Sequence, residues 1–360
     1  VSVDQFTDHN IGRGLDKIFE TGTQKIFGQL SQNAVNGFQI KPTGAHYDTT
    51  SVSVYGDYDM TDEPFEIAYG HSKDKRPDLK QFLVEMLCVE RNIPLFGATR
   101  DGNASDKTLN NELLSTISKH MANHGLKENA FVYVADSAFV TEDNLEKAGT
   151  TTKFITRLPA TYNECSRAIQ DAVKTDEWID IGTVAETEGT QKRPAAHYKA
   201  FETTVTLYET NYRATVIHPS AHDKRRHKRI DRLLKKNKKE LEQLAQKLIT
   251  EPYYCEADAL AAVEKLSQLP KKTDIFQIST SVETVAKYRR GRPKKGEKRV
   301  PERYEYRLEF SFEEDKAKVD TLREEAGCFI LLSNLVSPSE KEEWDVEGLL
   351  RLYKSQSGIE

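Results

Sequence analysis

Phe131-Val132-Tyr133-Val134-Ala135-Asp136 (residues 131–136) is the stretch from which the rest of the chain is read. Its five apolar residues include β-branched and aromatic types and have the length of a strand. A run without alternation suits a strand covered on both faces. Asp136 follows directly at the C-terminal end. A carboxylate at the end of a core strand is costly unless it is paired or binds a cation. Upstream, His46-Tyr47-Asp48-Thr49-Thr50-Ser51-Val52-Ser53-Val54-Tyr55-Gly56 is again β-branched and aromatic, and it carries a second acid, Asp48. Strands are expected at Phe65–Tyr69, Phe82–Val89 and, after the turn Arg91-Asn92, Pro94–Thr99, which together read as an antiparallel meander. The loop Asp101–Asp106 leads to a helix striped by Leu109, Leu113, Ile117 and Met121. Downstream come a short helix, Asn144–Ala148, and a strand, Lys153–Arg157. This succession is a mixed α/β core.

Working outward, residues 1–40 read as a helical N-terminal segment, with Ile11, Leu15, Ile18 and Phe19 on one face. Residues 41–160 form the first part of the core. Residues 161–325 read as a β-rich and helical insertion. It holds strands at Trp178–Ile181, Tyr198–Leu207 and Tyr212–Ile217, and a long helix with Ile230, Leu233, Leu234, Leu241, Leu244 and Leu248 at helical spacing. A helix at Glu256–Leu269 and an alternating strand at Arg303–Phe312 follow. Residues 326–360 return to the core through the apolar run Cys328–Leu332 and a helix begun by Val346, Leu349, Leu350 and Tyr353. The chain stops at Glu360 inside that expected helix, which reads as a fragment.

Net charge is −5, with 52 Lys+Arg against 57 Asp+Glu. That average conceals segregation. Residues 222–240 carry ten Lys/Arg against three acids, and residues 287–303 carry nine against two, so each stretch is +7 and the remainder is −19. An acidic body with two basic arms points to a polyanionic partner. There is no apolar run long enough to span a bilayer, which argues against a membrane protein, and no signal peptide is visible. Cys88, Cys165, Cys255 and Cys328 form no CxxC pair and read as reduced, mostly buried thiols of a cytoplasmic protein, which the resemblance given below further implies to be prokaryotic and nucleoid-associated. His120 and His124 stand at i, i+4 but have no third ligand in the sequence, so they read as an exposed helix end. Trp178 and Trp344 read as core anchors.

Asp48, Asp136 and Glu360 are candidate catalytic and metal-binding residues. Carboxylates gathered from separate elements are hard oxygen ligands suited to Mg²⁺. Two such ions about 3.5–4 Å apart would clamp the attacking and leaving oxygens of a phosphoryl transfer.

The motifs carry a resemblance. His46-Tyr47-Asp48-Thr49-Thr50-Ser51, Val134-Ala135-Asp136-Ser137-Ala138-Phe139 and the series Tyr353, Gln356, Glu360 resemble DDE-type insertion-sequence transposases, in the group with a long insertion between the second Asp and the Glu. That group's third motif has Arg where this chain has Gln356. Residues 70–81 and 102–106 are similar to two further blocks of the family. The resemblance implies an RNase H-like five-stranded mixed sheet with flanking helices, interrupted by the insertion. It also implies two Mg²⁺ ions (or Mn²⁺), and metal-dependent cleavage and strand transfer at terminal inverted repeats and target DNA. A homodimer on double-stranded DNA belongs to the same picture. Lys73, Arg76, Tyr353 and Gln356 are expected near the DNA backbone. Arg290-Gly291-Arg292-Pro293-Lys294, with Lys295, resembles an AT-hook, whose arginines would enter a narrow A·T minor groove. The basic helix at 224–239 suggests phosphate contacts that are indifferent to sequence. The competing expectations are a truncated, non-catalytic DNA-binding relic and a structure-selective nuclease on the same fold.

Overall fold

The computed structural model describes residues 3–58, 64–72, 74–123, 131–149, 152–185, 195–220, 224–251, 253–267, 275–291 and 298–355. These form two compact units, residues 1–220 with 329–360, and residues 221–328.

The first unit is a mixed α/β structure with helices flanking a large mixed sheet. Its strands are β1 (Gly44–Val54), β2 (Lys80–Val89), β3 (Ile93–Arg100), β4 (Val132–Ala135), β5 (Lys153–Arg157), β6 (Ile179–Thr183), β7 (His197–Leu207) and β8 (Thr210–Pro219). The ninth strand of the sheet comes from the far end of the chain, Phe329–Ser333, and is called β11 because β9 and β10 precede it in the second unit. The order across the sheet is β3-β2-β1-β4-β5-β11-β8-β7-β6. β1 runs parallel to β4, and β4 to β5; every other pairing is antiparallel. The unbroken apolar runs take the interior positions. Tyr133, Val134 and Ala135 of β4 are fully buried, as are Ile330 and Leu332 of β11 and Ala214, Val216 and Ile217 of β8. Strands buried on both faces need apolar residues at odd and even positions alike.

Helices α1 (Asp8–Thr21) and α2 (Thr23–Gly37) precede the sheet. α2 meets β3 through Ser31, whose hydroxyl donates to the Pro94 carbonyl at 2.5 Å. The expected stripe of α1 does not form a core, since Ile11, Leu15, Ile18 and Phe19 are exposed. α3 (Asp106–Asn123) buries Leu109, Leu113 and Ile117, and α4 (Glu142–Ala148) follows β4.

Three expectations are corrected. The segment Phe65–Tyr69 is not a strand but a single bridge, Ala68 with Gln81. The sheet has nine strands rather than five. The residues read as an insertion from 161 onward begin instead with α5 (Asn163–Thr175) and β6–β8, which join the main sheet. The reason lies in β11, which is hydrogen-bonded to β5 on one side and β8 on the other and so ties both parts into one sheet.

The second unit contains α6 (Lys224–Thr250), α7 (Glu256–Ser267), the hairpin of β9 (Phe276–Lys287) and β10 (Arg303–Glu314), and α8 (Lys316–Gly327). Ile230, Leu234 and Leu241 of α6 pack with Ile275, Phe276 and Val319. Leu233 faces outward. α9 (Pro338–Glu343) and α10 (Val346–Lys354) close the first unit.

Gly102 marks a tight crossing. A Cβ there would fall on the carbonyl oxygen of Gln81 and lie 2.7 Å from that of Ala68, both backbone atoms that cannot rotate away. Gly102→Ala is therefore expected to destabilise the chain by about 1–3 kcal/mol through overpacking, read as a lowered midpoint in urea unfolding. An unchanged midpoint would mean that this crossing is loose.

Candidate functional site

The β1–β4 ladder pairs Gly44 with Val132, Ala45 with Tyr133 and His46 with Val134. The same register carried two residues further sets Asp48 opposite Asp136. The β4–β5 ladder ends on Ala135 opposite Thr156, so the next pair is Asp136 and Arg157. Three adjacent parallel strands thus set Asp48, Asp136 and Arg157 in neighbouring positions, at the C-terminal ends of β4 and β5 and midway along β1. Neighbouring strands lie about 4.8 Å apart, and register partners share a face.

Both acids are half-buried, and the backbone around each is fixed. The Asp136 side chain caps the turn Ser137–Phe139, accepting from the Ala138 N–H at 3.0 Å. Its carbonyl accepts from the Thr156 hydroxyl at 2.6 Å. On either side of Asp48, residues of the opposite face are anchored. The Tyr47 hydroxyl donates to Glu85 at 2.7 Å, and the Thr49 hydroxyl donates to Asp106 at the start of α3, also at 2.7 Å. Glu85 is almost fully buried and also accepts from Arg100 Nε at 2.8 Å. Burial and the Glu85 carboxylate push the Tyr47 phenol far above its ordinary range.

α10 lies on the same face as the two acids. Its first turn is capped by Asp345, which accepts from the Gly348 N–H at 2.7 Å. Leu349, Leu350 and Leu352 are buried with Val132, Val134 and Ile155. Leu352 sits directly over Gly44, where a Cβ would collide with its methyl group. Ser355, three residues on, hydrogen-bonds His46, two residues on, at 3.0 Å. α10 therefore runs along β1 in the direction of Asp48. His46 is 3% exposed, and burial holds its imidazole down at about 4, so it is neutral.

The other expected site residues are dispersed. Glu360, Gln356, Lys73, Arg292, Lys294 and Lys295 lie outside the described residues, as do the imidazoles of His120 and His124. Tyr353 is half-buried and stacks on Phe329 at 6.4 Å, so it contributes to the core as well as to the end of α10. Arg76 is exposed and engaged by Asp78 through two hydrogen bonds of 2.9 and 2.7 Å. Arg290 is exposed beyond the end of β9. In the second unit, Lys228, Arg232, Lys235 and Lys239 are exposed along α6, opposite the buried Ile230, Leu234 and Leu241. Trp178 packs edge-on to Phe201, and Trp344 packs against the main core. Of the cysteines, only Cys255 is exposed. No described helix is long and apolar enough to cross a membrane.

Motif reasoning does not single out Arg157 or His46. Arg157 is half-buried, and its guanidinium stacks 5.2 Å over the Phe329 ring. An aromatic face orients the cation without neutralising it. The only sequence signal for it is its place as the last residue of the strand beside Asp136.

Among the described residues no cluster of three or more His, Cys, Asp or Glu side chains could by itself hold a metal. What the ladder registers, extended past their last pairs, set at neighbouring backbone positions is two acidic residues and Arg157. A pair of half-buried oxygen donors on rigid strands fits a divalent hard cation that keeps several waters or phosphate oxygens in its shell. Comparison with protein-family models gives no match, and comparison with curated proteins gives none either.

Proposed function

We propose that the chain is the catalytic portion of a DDE-type transposase built on an RNase H-like core, and that it cleaves and joins DNA strands with the help of divalent metal. The observation that carries this reading is the in-register placement of Asp48, midway along β1, and Asp136, at the C-terminal end of the neighbouring parallel strand β4, under a helix directed at them. The order β3-β2-β1-β4-β5, antiparallel and then parallel, agrees with such a core.

In this reading Asp48 and Asp136 hold the metal, and Glu360, five residues after Ser355, completes the set. Mg²⁺, or Mn²⁺ in its place, would supply Lewis acidity at the attacking and leaving oxygens when bound. Arg157 faces the same edge and offsets the charge of the scissile phosphate. Tyr353 and Gln356 steady the end of the helix or the adjacent DNA backbone. No side chain serves as nucleophile, because a water and then a freed 3′-OH attack the phosphodiester. The partner is double-stranded DNA, terminal inverted repeats and target alike, held by a homodimer.

The test is incubation of the full-length protein with Mg²⁺ and a labelled duplex carrying the sequences that flank its reading frame. A freed 3′-OH joined to a second duplex supports the proposal. Hydrolysis without joining would place the protein among nucleases, and DNA binding without cleavage would leave the relic.

The basic arms give a separate expectation. Residues 287–303 close a hairpin in which Ala286 and Tyr304 are direct partners, so an Asn-Gly turn can replace them without opening the ladder. This replacement is expected to weaken DNA binding by about ten-fold or more at low salt. It should also flatten the plot of log affinity against log salt by about 0.9 for each phosphate that the arm no longer neutralises. An unchanged slope would show that the arm does not touch DNA.

A further inference from the structure

The two-stranded ladder of the second unit has one open edge. In an antiparallel ladder, pairs that exchange hydrogen bonds alternate with pairs whose N–H and C=O groups point outward. Two bonds fix which pairs are which. The Tyr306 N–H donates to the Tyr253 carbonyl, outside the ladder, at 2.9 Å. The Asp315 N–H donates to the Ile275 carbonyl at 2.9 Å, one step past the last ladder pair, Glu314 with Phe276. The odd-numbered pairs therefore bond within the hairpin. On β9 the backbone groups of Ile278, Thr280, Val282, Thr284 and Ala286 face outward, and among the described residues no main-chain bond reaches them.

The other sheet edges are guarded. β10 is bridged by Tyr253. β3 contains Pro94, and its Gly97 and Pro94 carbonyls accept from Gln24 and Ser31 of α2. β6 has five residues, and its register with β7 shifts between Asp180 and Gly182. Covering segments, Pro, bulges, short length and charge are the usual protections of an edge against pairing. β9 is twelve residues long, pairs with β10 without a register shift, contains no Pro, and carries one charge, Glu283, before Lys287 at its end. Thr280, Ser281, Glu283 and Thr284 are exposed. Val282 packs against the cluster of Ala259, Ala262 and Leu308, so the strand is held extended before any partner arrives.

The occupant that fits is β9 of a second copy. Laid antiparallel on itself with Val282 opposite Val282, the strand sets Thr280 opposite Thr284 and Ile278 opposite Ala286. All of these are outward-facing positions. Five such pairs give about ten main-chain bonds, as many as a typical interface carries. Thr with Thr and apolar with apolar are favourable cross-strand pairs. On the other face Ser281 meets Glu283, Ser279 meets Val285 and Gln277 meets Lys287, so no like charges are directly opposed. Glu283 keeps Arg307 as its register partner within its own hairpin. A slip of two residues one way would set Glu283 against Glu283. The same slip the other way would set both threonines against the apolar Val282 and Ile278.

We propose that the chain self-associates through the edge of β9, joining two hairpins into one four-stranded antiparallel sheet about a two-fold axis at Val282. Such an isologous pairing closes on itself and leaves no free β9 edge. It supplies a surface for the homodimer of the transposase reading, but it is carried by the edge and not by the metal site. The two Lys287 residues, where the basic stretches begin, then stand about 34 Å apart along the strand direction.

The experiment is sedimentation equilibrium of the purified full chain without DNA, alongside thermal unfolding. The parent is expected to show a reversible monomer–dimer equilibrium. Thr280→Lys with Thr284→Lys sets lysine against lysine twice across the axis and should weaken association by about ten-fold or more. Thr280→Lys with Thr284→Glu sets lysine against glutamate twice and should associate at least as tightly as the parent. Both positions are exposed, so both double variants should unfold at the parent's temperature. A parent that stays monomeric overturns the proposal and leaves the edge to another protein's strand or to none. Undiminished association of the double-lysine variant also overturns it, because another surface would then hold the dimer. Equal impairment of the two double variants overturns the antiparallel pairing. Asp136→Ala should associate as the parent does, which separates the two readings: loss of cleavage with an intact dimer bears on the metal site alone, and a monomeric parent that still cleaves DNA removes this inference alone.

Discussion

Asp48→Ala and Asp136→Ala are each expected to lower Mg²⁺-dependent strand cleavage by the full-length protein by about 10³-fold or more, with DNA affinity within about two-fold of the parent. Charge stabilisation by a bound metal contributes several kcal/mol to a phosphoryl-transfer transition state. Each 1.36 kcal/mol is a factor of about ten in rate. Loss of either acid removes one of two neighbouring donors, and the other cannot replace it, because each sits on its own strand. DNA affinity should survive, since the basic stretches lie in residues 222–240 and 287–303. The same changes should not unfold the protein, as both carboxylates are only half-buried. Retained cleavage in either variant would remove that residue from the site. Loss of cleavage together with loss of DNA binding would point to a structural fault instead.

The second large effect concerns stability beneath the site. Glu85 is 1% exposed, whereas the side chain of Arg100 is 35% exposed. Arg100 Nη2 lies 2.7 Å from the Glu85 carboxylate, which also accepts from the Tyr47 hydroxyl. The asymmetry in exposure decides which deletion hurts more. Arg100→Met leaves a carboxylate buried without its cation, a change that costs about 3–5 kcal/mol. Glu85→Gln leaves a guanidinium that can turn to water and to Glu112, already 3.5 Å away, together with a weakened partner for Tyr47. That change is expected to cost about 1–3 kcal/mol. Urea unfolding of the two variants tests the order. A larger loss in Glu85→Gln would mean that Arg100, not Glu85, carries the desolvation penalty. Because Tyr47 and Asp48 are consecutive, the network also stiffens β1 where the candidate ligand projects from the opposite face.

Much of this core is legible in the sequence because its strands carry strong signals. Residues 131–135 and 328–332 are apolar without alternation, and both supply interior strands. The acid after the first run and the acid within residues 46–56 fall together because parallel strands in register run side by side, a relation that no local pattern encodes. Arg157 is hidden from motif reading for the same reason, since its importance lies in the offset between β4 and β5. The sheet's extension is hidden differently. Strands join edges through backbone groups, which look alike in every sequence, so the segments that form β6–β8 read equally well as a separate domain. Tyr212–Ile217 does hold a clue, as six buried residues in succession belong inside a sheet rather than at its margin. The elements absent from the sequence reading have weak apolar patterns. α5 buries only small or single apolar residues such as Cys165, Ala168 and Ile169, α8 buries only Val319, and β9 is largely Ser and Thr between its apolar positions. Phe65–Tyr69 has the composition of a strand, but the chain there is held by the crossing at Gly70 and Gly102 and makes one bridge.

The central claim is that Asp48 and Asp136 act as one metal-binding pair. The most direct measurement is Mn²⁺ binding to the purified chain by electron paramagnetic resonance, in the parent and in the Asp136→Ala variant. Saturable binding is expected in the parent, displaced by Mg²⁺ and lost in the variant. Identical Mn²⁺ isotherms for parent and variant would contradict it.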